Sequence, residues 1–258
     1  MPAPLLEVRG LRKEFGGVVA VGGVSFEVRS GEIRAIIGPN GAGKTTIFNL
    51  INGLFPLNRG EVRFRGRLLN GLRPADRAAL GIARTFQNLQ IFTNMTVLEN
   101  VMVGRHRKSG SGFLSTAFRT SRARREEREI LEAARGCLDF VGLEERRDDP
   151  AGSLPFGQQR LLEIARALAM EPVLLLLDEP AAGLNPIEVG RLAELTYAIR
   201  ERGITILLVE HLMDLVMRVS ENILVLNYGE VLAQGPPAAI REDPAVIDAY
   251  LGVEEPDA

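Results

Sequence analysis

The chain has 258 residues, 46% of them hydrophobic and 25% charged, with a formal net charge of −2. That length suffices for one substantial core with a subdomain, and the near-neutral balance excludes an overall field that recruits nucleic acid or acidic lipid. The single cysteine, Cys137, can form no internal disulfide and has no cysteine or histidine at metal-ligand spacing, which predicts a reduced, cytoplasmic setting.

Met1 to Leu11 already contains Glu7 and Arg9 and lacks an apolar stretch of signal-peptide length. No run approaches the roughly 18 apolar residues that span a bilayer. The expectation is a chain that reaches a membrane only through another subunit.

In chain order, Leu5–Val8 and Val24–Val28 are predicted strands, with turns at Gly16-Gly17 and Gly22-Gly23. Ile33 to Ile37 is a short, largely apolar run read as a strand. Gly38-Pro39-Asn40-Gly41-Ala42-Gly43-Lys44-Thr45 follows, a full match to G-x-x-x-x-G-K-[ST], and then Ile47 to Ile51 opens a helix. Strand, glycine loop and helix in this order make a phosphate-binding P-loop. Glycines let backbone N–H groups curl around phosphate oxygens, and the helix aims its positive end at the same anion. Lys44, read as an exposed lysine, reaches the β- and γ-phosphates, and Thr45 holds Mg²⁺. By itself this names only nucleotide binding.

Gly60–Arg65 alternates as a strand before a turn at Gly66, and Ala75–Leu80 is a short helix. From Val97 to about Gly152 the pattern is helical and charged. It is interrupted over Lys108–Arg135 by Ser109-Gly110-Ser111-Gly112, the apolar piece Phe113–Phe118 and an arginine-rich run from Arg119 to Arg128. The charged half reads as a solvated helix, and His106 as an ordinary surface residue. Phe113, Leu114 and Phe118 are expected to touch a membrane subunit or the headgroup layer beside it.

Leu154-Pro155-Phe156-Gly157-Gln158-Gln159-Arg160 is a proline turn leading into a helix at Leu161–Met170, either a second anion-binding helix start or simply a helix start. Val173–Leu177 and Ile204–Val209 have the length and apolar character of strands buried in a parallel sheet, with a helix at Ile187–Arg202 between them. Asp178, ending the first of these strands, is costly there unless it faces a cation, and Mg²⁺ beside Thr45 supplies one. Glu179 is then placed to take a proton from an attacking water. Asp-Glu-Pro also reads as a helix cap with its first turn. Taken singly, Phe15 is a core residue, Gln87 a solvated one and His211 a surface or capping histidine. The tail Glu254–Ala258 is predicted to be disordered.

As a set, Gly38 to Thr46, Gln87 in Arg84-Thr85-Phe86-Gln87, Leu154 to Gln158, Asp178-Glu179-Pro180, Ala182-Gly183-Leu184-Asn185 and His211 stand in the order found in ABC-transporter ATPases, and the chain resembles that family over nearly its whole length. Within it, Arg84 to Leu89, Thr96 to Gly104, Glu179 to Pro186 and Val246 to Gly252 are most similar to the ATP-binding subunits of branched-chain amino acid importers.

The resemblance implies an α/β fold of the P-loop NTPase type, an ABC nucleotide-binding domain with an antiparallel β subdomain and a helical subdomain. The core with its β subdomain is expected over 1–86 and 160–252, the helical subdomain over about 87–159 with an insertion at 105–135, and a tail at 253–258. It implies ATP held by Phe15, Gly38, Pro39, Asn40, Gly41, Ala42, Gly43, Lys44, Thr45 and Thr46, and by Leu154, Pro155, Phe156, Gly157, Gln158 and Asn185. Mg²⁺ falls to Thr45, Gln87 and Asp178, and catalysis to Glu179, Gln87 and His211. The implied partners are membrane permease subunits, a second ATPase subunit, identical or related, and indirectly an extracytoplasmic substrate-binding protein, but no nucleic acid. The implied place is the cytoplasmic face of the membrane.

Two departures stand out. Pro155-Phe156 replaces the usual Ser-Gly, removing a hydroxyl and an N–H, and Asn185 replaces the usual Asp. The ATPase of a lipid or lipopolysaccharide exporter, or a non-transport ABC ATPase, is the alternative. One P-loop, no basic stripe and no long coiled-coil insertion weigh against the last.

Overall fold

The computed structural model describes residues 3–105 and 121–251. The segment Phe113–Phe118, His106 and the tail from Glu254 lie outside the described residues. Contacts divide the chain into two units, one of Met1–Arg84, Val173–Ala181 and Val189–Ala258, the other of Thr85–Pro172 and Ala182–Glu188.

The first unit holds two sheets. Strands β1 (Leu6–Phe15), β2 (Val18–Val28), β4 (Arg59–Phe64) and β5 (Arg67–Leu68) form an antiparallel sheet in the order β2-β1-β4-β5. The second sheet runs β10-β9-β3-β8-β7-β6, built from β3 (Ile33–Ile37), β6 (Ile82–Arg84), β7 (Leu174–Asp178), β8 (Thr205–Val209), β9 (Asn222–Asn227) and β10 (Glu230–Gly235). Its pairings are parallel except for the β9–β10 hairpin at one edge. Strands β3, β7 and β8 are buried at every position, as expected of a parallel sheet covered on both faces.

Alternation sorts the side chains of β3 between two cores. Ile36 joins a cluster with Leu6, Phe26, Phe64 and, from helix α1 (Lys44–Asn52), Ile47 and Phe48. Ala35 and Ile37 join another with Val216, Ile223 and Ile240. Helix α1 ends on Gly53 at φ 81, whose N–H returns to the carbonyls of Asn49 and Leu50, a glycine stop that a Cβ would strain.

Gly22-Gly23 is not a turn. Strand β2 runs through it, and Gly23 at φ 100 lies in a stretch where the β1–β2 register shifts three times, the behaviour of bulges. Those bulges also hide the second half of β1, of which only the start was legible. Helix α2 (Pro74–Ala79) stands at the predicted place.

The second unit is helical, with α3 (Val97–Arg105), α4 (Ser121–Val141) and α5 (Phe156–Ala169), joined by short 3₁₀ turns at Glu144–Arg146 and Ala151–Ser153. A capping box starts α3: the Glu99 N–H donates to the Thr96 hydroxyl at 3.1 Å and the Thr96 N–H to the Glu99 carboxylate at 2.8 Å. Along α4, Arg125 pairs with Glu129 at 3.0 Å in the open, as on a solvated helix. Helix α5 groups with this unit rather than with the core because α3 crosses it closely. A Cβ on Gly104 would collide with the Arg166 carbonyl.

Four further helices, α6 (Pro186–Glu201), α7 (Met213–Val219), α8 (Pro237–Glu242) and α9 (Pro244–Leu251), complete the element order. Among the described residues, no helix is long and apolar enough to cross a membrane.

Candidate functional site

Gly38 to Gly43 forms the turn between β3 and α1, and Lys44 is the first residue of that helix. Gly38, Gly41 and Gly43 adopt φ of 150, 81 and 96, conformations that favour glycine. At Gly43 a Cβ would stand 2.5 Å from the Ala20 carbonyl of β2, so the hairpin that bears Phe15 is pressed against the loop. Phe15 ends β1 and is 42% exposed, its ring edge-on to Phe55 at 5.2 Å with the Lys13 ammonium 4.9 Å from its centre. The ring is thus held by aromatic packing while it stays half-exposed.

Lys44 is not an exposed lysine. It is 6% exposed and donates to the carbonyls of Gly38 at 2.7 Å and Pro39 at 2.9 Å. Burial lowers its pKa, opposed by the nearby carboxylates of Glu179 and Asp178. The ammonium thus closes the loop from within. Thr45 and Thr46 follow, half-buried in the first turn of α1.

Asp178 ends β7, completely buried. The cation it meets is Arg84, at the end of β6, which donates through Nη2 to Asp178 Oδ2 at 2.7 Å and through Nη1 to Asn49 Oδ1 at 2.6 Å, with its guanidinium carbon 5.6 Å from the centre of the Phe48 ring. Nothing local in the sequence marks Arg84 as this partner, and Mg²⁺ is the counter-charge that the strand end alone suggests. Carboxylate and hydroxyl oxygens of Asp178 and Thr45 are nonetheless the hard donors that Mg²⁺ takes, and that ion accepts few protein ligands alongside water and phosphate.

Glu179 stands just beyond the strand at φ 47, a left-handed conformation unusual for glutamate, fixed by its N–H donating to the Val209 carbonyl at 2.8 Å. Helix α6 does not begin until Pro186, so Asp-Glu-Pro is no helix cap. Nδ1 of His211 lies 3.9 Å from Glu179 Oε2 and 3.4 Å from Glu210 Oε1, with the ring mostly exposed. The structure therefore brings Glu179 and His211 together at adjacent strand ends.

Glu210 was passed over. Fully buried, it accepts the N–H groups of Ala181 at 3.1 Å, His211 at 2.9 Å and Leu212 at 3.3 Å, locking the loop after Glu179 to the loop bearing His211. A carboxylate directly after an apolar strand, the signal used for Asp178, was available here too.

In the second unit, Pro155 precedes the first residue of α5 and provides no side-chain cap, leaving the N–H groups of Phe156, Gly157 and Gln158 to the helix start. The side chain of Gln159 bonds the Leu154 carbonyl at 2.8 Å. Gly157 leaves room for Glu188, whose carboxylate a Cβ there would strike.

Asn185 accepts the N–H groups of Ile187 and Glu188, each at 3.0 Å, while Glu188 accepts the Asn185 N–H at 3.0 Å. This reciprocal box starts α6, with Pro186 first in the helix. An amide oxygen caps as well as a carboxylate, so loss of charge at Asn185 leaves this role intact.

Exposed Gln87 sits in the irregular stretch after β6, and α5 holds that stretch. Arg160 donates to the carbonyls of Phe86 at 2.9 Å and Gln87 at 2.6 Å, and Glu163 accepts the Phe86 N–H at 3.0 Å. Burial raises the Glu163 carboxyl above its ordinary value. Neither residue had been singled out, because the pairing spans more than 70 residues of chain.

Comparison with known proteins agrees with this geometry. The ABC transporter family matches residues 21–182, and the branched-chain amino acid ATP-binding cassette transporter family matches residues 230–256. The chain is 47% identical over 253 residues to the high-affinity branched-chain amino acid transport ATP-binding protein BraF of Pseudomonas aeruginosa, covering 98% of this chain and 99% of that one. It is 46% identical, with the same coverage, to the corresponding protein LivG of Escherichia coli K12. Among solved structures, a nucleotide-free ATP-binding cassette from an ABC transporter superposes with a TM-score of 0.85 at 33% identity, covering 96% of this chain and 99% of the other. A cassette in its ADP conformation gives the same TM-score and identity, covering 97% and 100%. The chain belongs to the ATP-binding subunits of ABC transporters, whose activity is ATP hydrolysis coupled to transport.

Proposed function

We propose that this chain is the ATP-hydrolysing subunit of an importer of branched-chain amino acids, working at the cytoplasmic face of the membrane on permease subunits and fed by an extracytoplasmic substrate-binding protein. The observation that carries the amino-acid assignment is the match of residues 230–256, outside the catalytic motifs, to the branched-chain family, alongside near-full-length likeness to BraF and LivG.

In the proposed reaction the P-loop N–H groups and Lys44 hold the β- and γ-phosphates, and Phe15 stacks on the base. Thr45, Asp178 and Gln87 would hold Mg²⁺, which would neutralise phosphate charge there. Glu179 takes a proton from water as its oxygen attacks the γ-phosphorus, and the bond to the β–γ bridging oxygen breaks, giving ADP and phosphate. His211, beside Glu179, faces the departing phosphoryl group.

Two such subunits pair head to tail, each ATP lying between the P-loop of one and the Leu154–Gln158 helix start of the other. Binding closes the pair and hydrolysis reopens it, moving the permease between its two faces. Since Arg160 and Glu163 tie Gln87 to the helix carrying Phe156 to Gln158, a permease pushing on the Gln87 stretch acts on that helix start directly.

The test is purification of the tagged chain from membranes together with its permease subunits, followed by ATP-driven uptake of labelled leucine in vesicles. Co-purified permeases with leucine uptake bear the reading out. Stable assembly with permeases that move lipid and not leucine overturns it.

A further inference from the structure

A cavity of about 390 Å³ opens in the first unit where β1 and β2 meet the starts of β3 and β9, a volume ordinary for a small-molecule site. It is far from the phosphate chemistry. Arg34 is the second residue of β3 whereas the P-loop leaves the other end, about 13 Å further along the strand at ~3.3 Å per residue.

Two features of its wall are hard to explain by the fold alone. Arg34, only 9% exposed, donates no hydrogen bond and has no carboxylate within ion-pair distance among the described residues; its guanidinium carbon lies 6.0 Å from the centre of the Phe26 ring, and its Nε is buried without a hydrogen bond. Burial lowers its pKa, opposed by the carboxylates of Glu32 and, more weakly, Glu27, which lie beyond ion-pair distance. The carboxylate nearest in sequence is already committed: Glu32 accepts the Arg29 N–H at 2.7 Å and the Asn222 side-chain amide at 2.8 Å. A guanidinium largely removed from water without a hydrogen-bonding oxygen is expensive, and its five donors match a carboxylate.

Close by, Glu7 and Glu27 stand directly opposite each other across the β1–β2 pair, a like-charge pairing that sheets avoid. Arg9 pairs with Glu7. Glu27 has no hydrogen bond or ion pair among the described residues, and it lines the same cavity. The wall thus offers a mostly buried cation and an exposed anion, neither hydrogen-bonded among the described residues, with Val8 and Phe26 as its apolar surface.

We propose that this cavity is a binding site for an α-amino acid, its carboxylate on the guanidinium of Arg34 and its ammonium between Glu27 and Glu7. The charge pattern, positive within and negative outside, is that of a zwitterion binder and differs from an anion site, where Glu27 would repel the ligand. Recognition of this kind is separate from ATP binding, and it does not require that the chain drive transport. The choice of leucine as first probe rests on the transport reading. If that reading also holds, the subunit carries a site that senses the imported solute on its cytoplasmic side.

The experiment is calorimetric titration of the purified chain with L-leucine and with its 2-oxo acid, 4-methyl-2-oxopentanoate, which keeps the carboxylate and lacks the ammonium. Leucine binds wild type, and Arg34→Gln weakens it roughly 10- to 100-fold, the loss expected for a hydrogen bond between charged groups. Glu27→Gln, an exposed change that the fold tolerates, weakens leucine and leaves the 2-oxo acid unaffected. Unchanged binding of an ATP analogue by both variants shows that they are folded. Absence of leucine binding up to about 10 mM, equal affinity in Arg34→Gln, or a preference for the 2-oxo acid overturns the proposal. Leucine uptake by the assembled transporter with no binding to the isolated chain overturns this site while leaving the transport reading standing.

Discussion

Arg84→Met removes a residue that joins β6, α1 and β7, and its cost follows from the geometry. The pair it breaks is 2.7 Å long between side chains 4% and 0% exposed. Asp178 then keeps a buried charge without its guanidinium, and Asn49 loses a donor at 2.6 Å. Breaking one partner of a buried pair typically costs about 3–5 kcal/mol. For a protein of this size each kcal/mol moves the melting temperature roughly 2–4 °C, so a drop of about 6–20 °C is expected. Arg84→Lys restores charge but cannot reach Asp178 and Asn49 with one planar fork, and should fall between. Arg84→Met combined with Asp178→Asn removes the stranded charge and should be more stable than Arg84→Met alone. Differential scanning calorimetry of the four proteins without nucleotide decides it. An Arg84→Met protein melting within about 2 °C of wild type, or a double variant less stable than the single, refutes the view that Arg84 is the counter-charge of Asp178.

Glu179→Gln is expected to bind ATP normally and hydrolyse it roughly 10²- to 10⁴-fold more slowly, accumulating as an ATP-bound dimer visible by size-exclusion chromatography; near-normal turnover in the assembled transporter would remove Glu179 from the proton transfer. Lys44→Ala should weaken ATP-analogue binding roughly tenfold or more with little change in melting, since the two carbonyl bonds lost are offset by relief of a buried charge that desolvation disfavours. Retained affinity with a large fall in stability would contradict that balance. For Glu163, the folded-state pKa lies above the ordinary value, so its contribution to stability is present in full below the ordinary glutamate range and is lost as pH rises through the raised value. Glu163→Gln, neutral throughout, should flatten that part of the urea-midpoint curve against pH, and an unchanged slope would count against the assignment.

What could be read from sequence was what is local or buried. The P-loop was legible because its glycines sit at fixed offsets and meet a backbone need, φ of 150, 81 and 96, that few other residues satisfy. Strands β7 and β8 were legible because a five-residue apolar run buried on both faces has few other uses. Asp178 and Glu179 followed from where that run stops. Failures came where a residue's meaning lies elsewhere in the chain. Gly22-Gly23 looked like a turn, and only the partner strand shows that it is a bulge. Lys44 looked exposed because lysine usually is, while the loop's own carbonyls fold over it.

Arg84 and Arg160 illustrate the same limit in functional terms. Each was visible inside a quoted motif, and neither carried a local signal, because what an arginine does is set by the oxygens it reaches: Asp178 lies 94 residues from Arg84, and Gln87 lies 73 from Arg160. Both are positioning residues, one holding the strand-end carboxylate of Asp178, the other holding the Phe86–Gln87 stretch on the helix that bears Gly157. The contrast with Arg34 follows from the same rule. An arginine is understood when its oxygens are found, and Arg34, mostly buried, hydrogen-bonds to none among the described residues, which is why its partner is sought in a ligand.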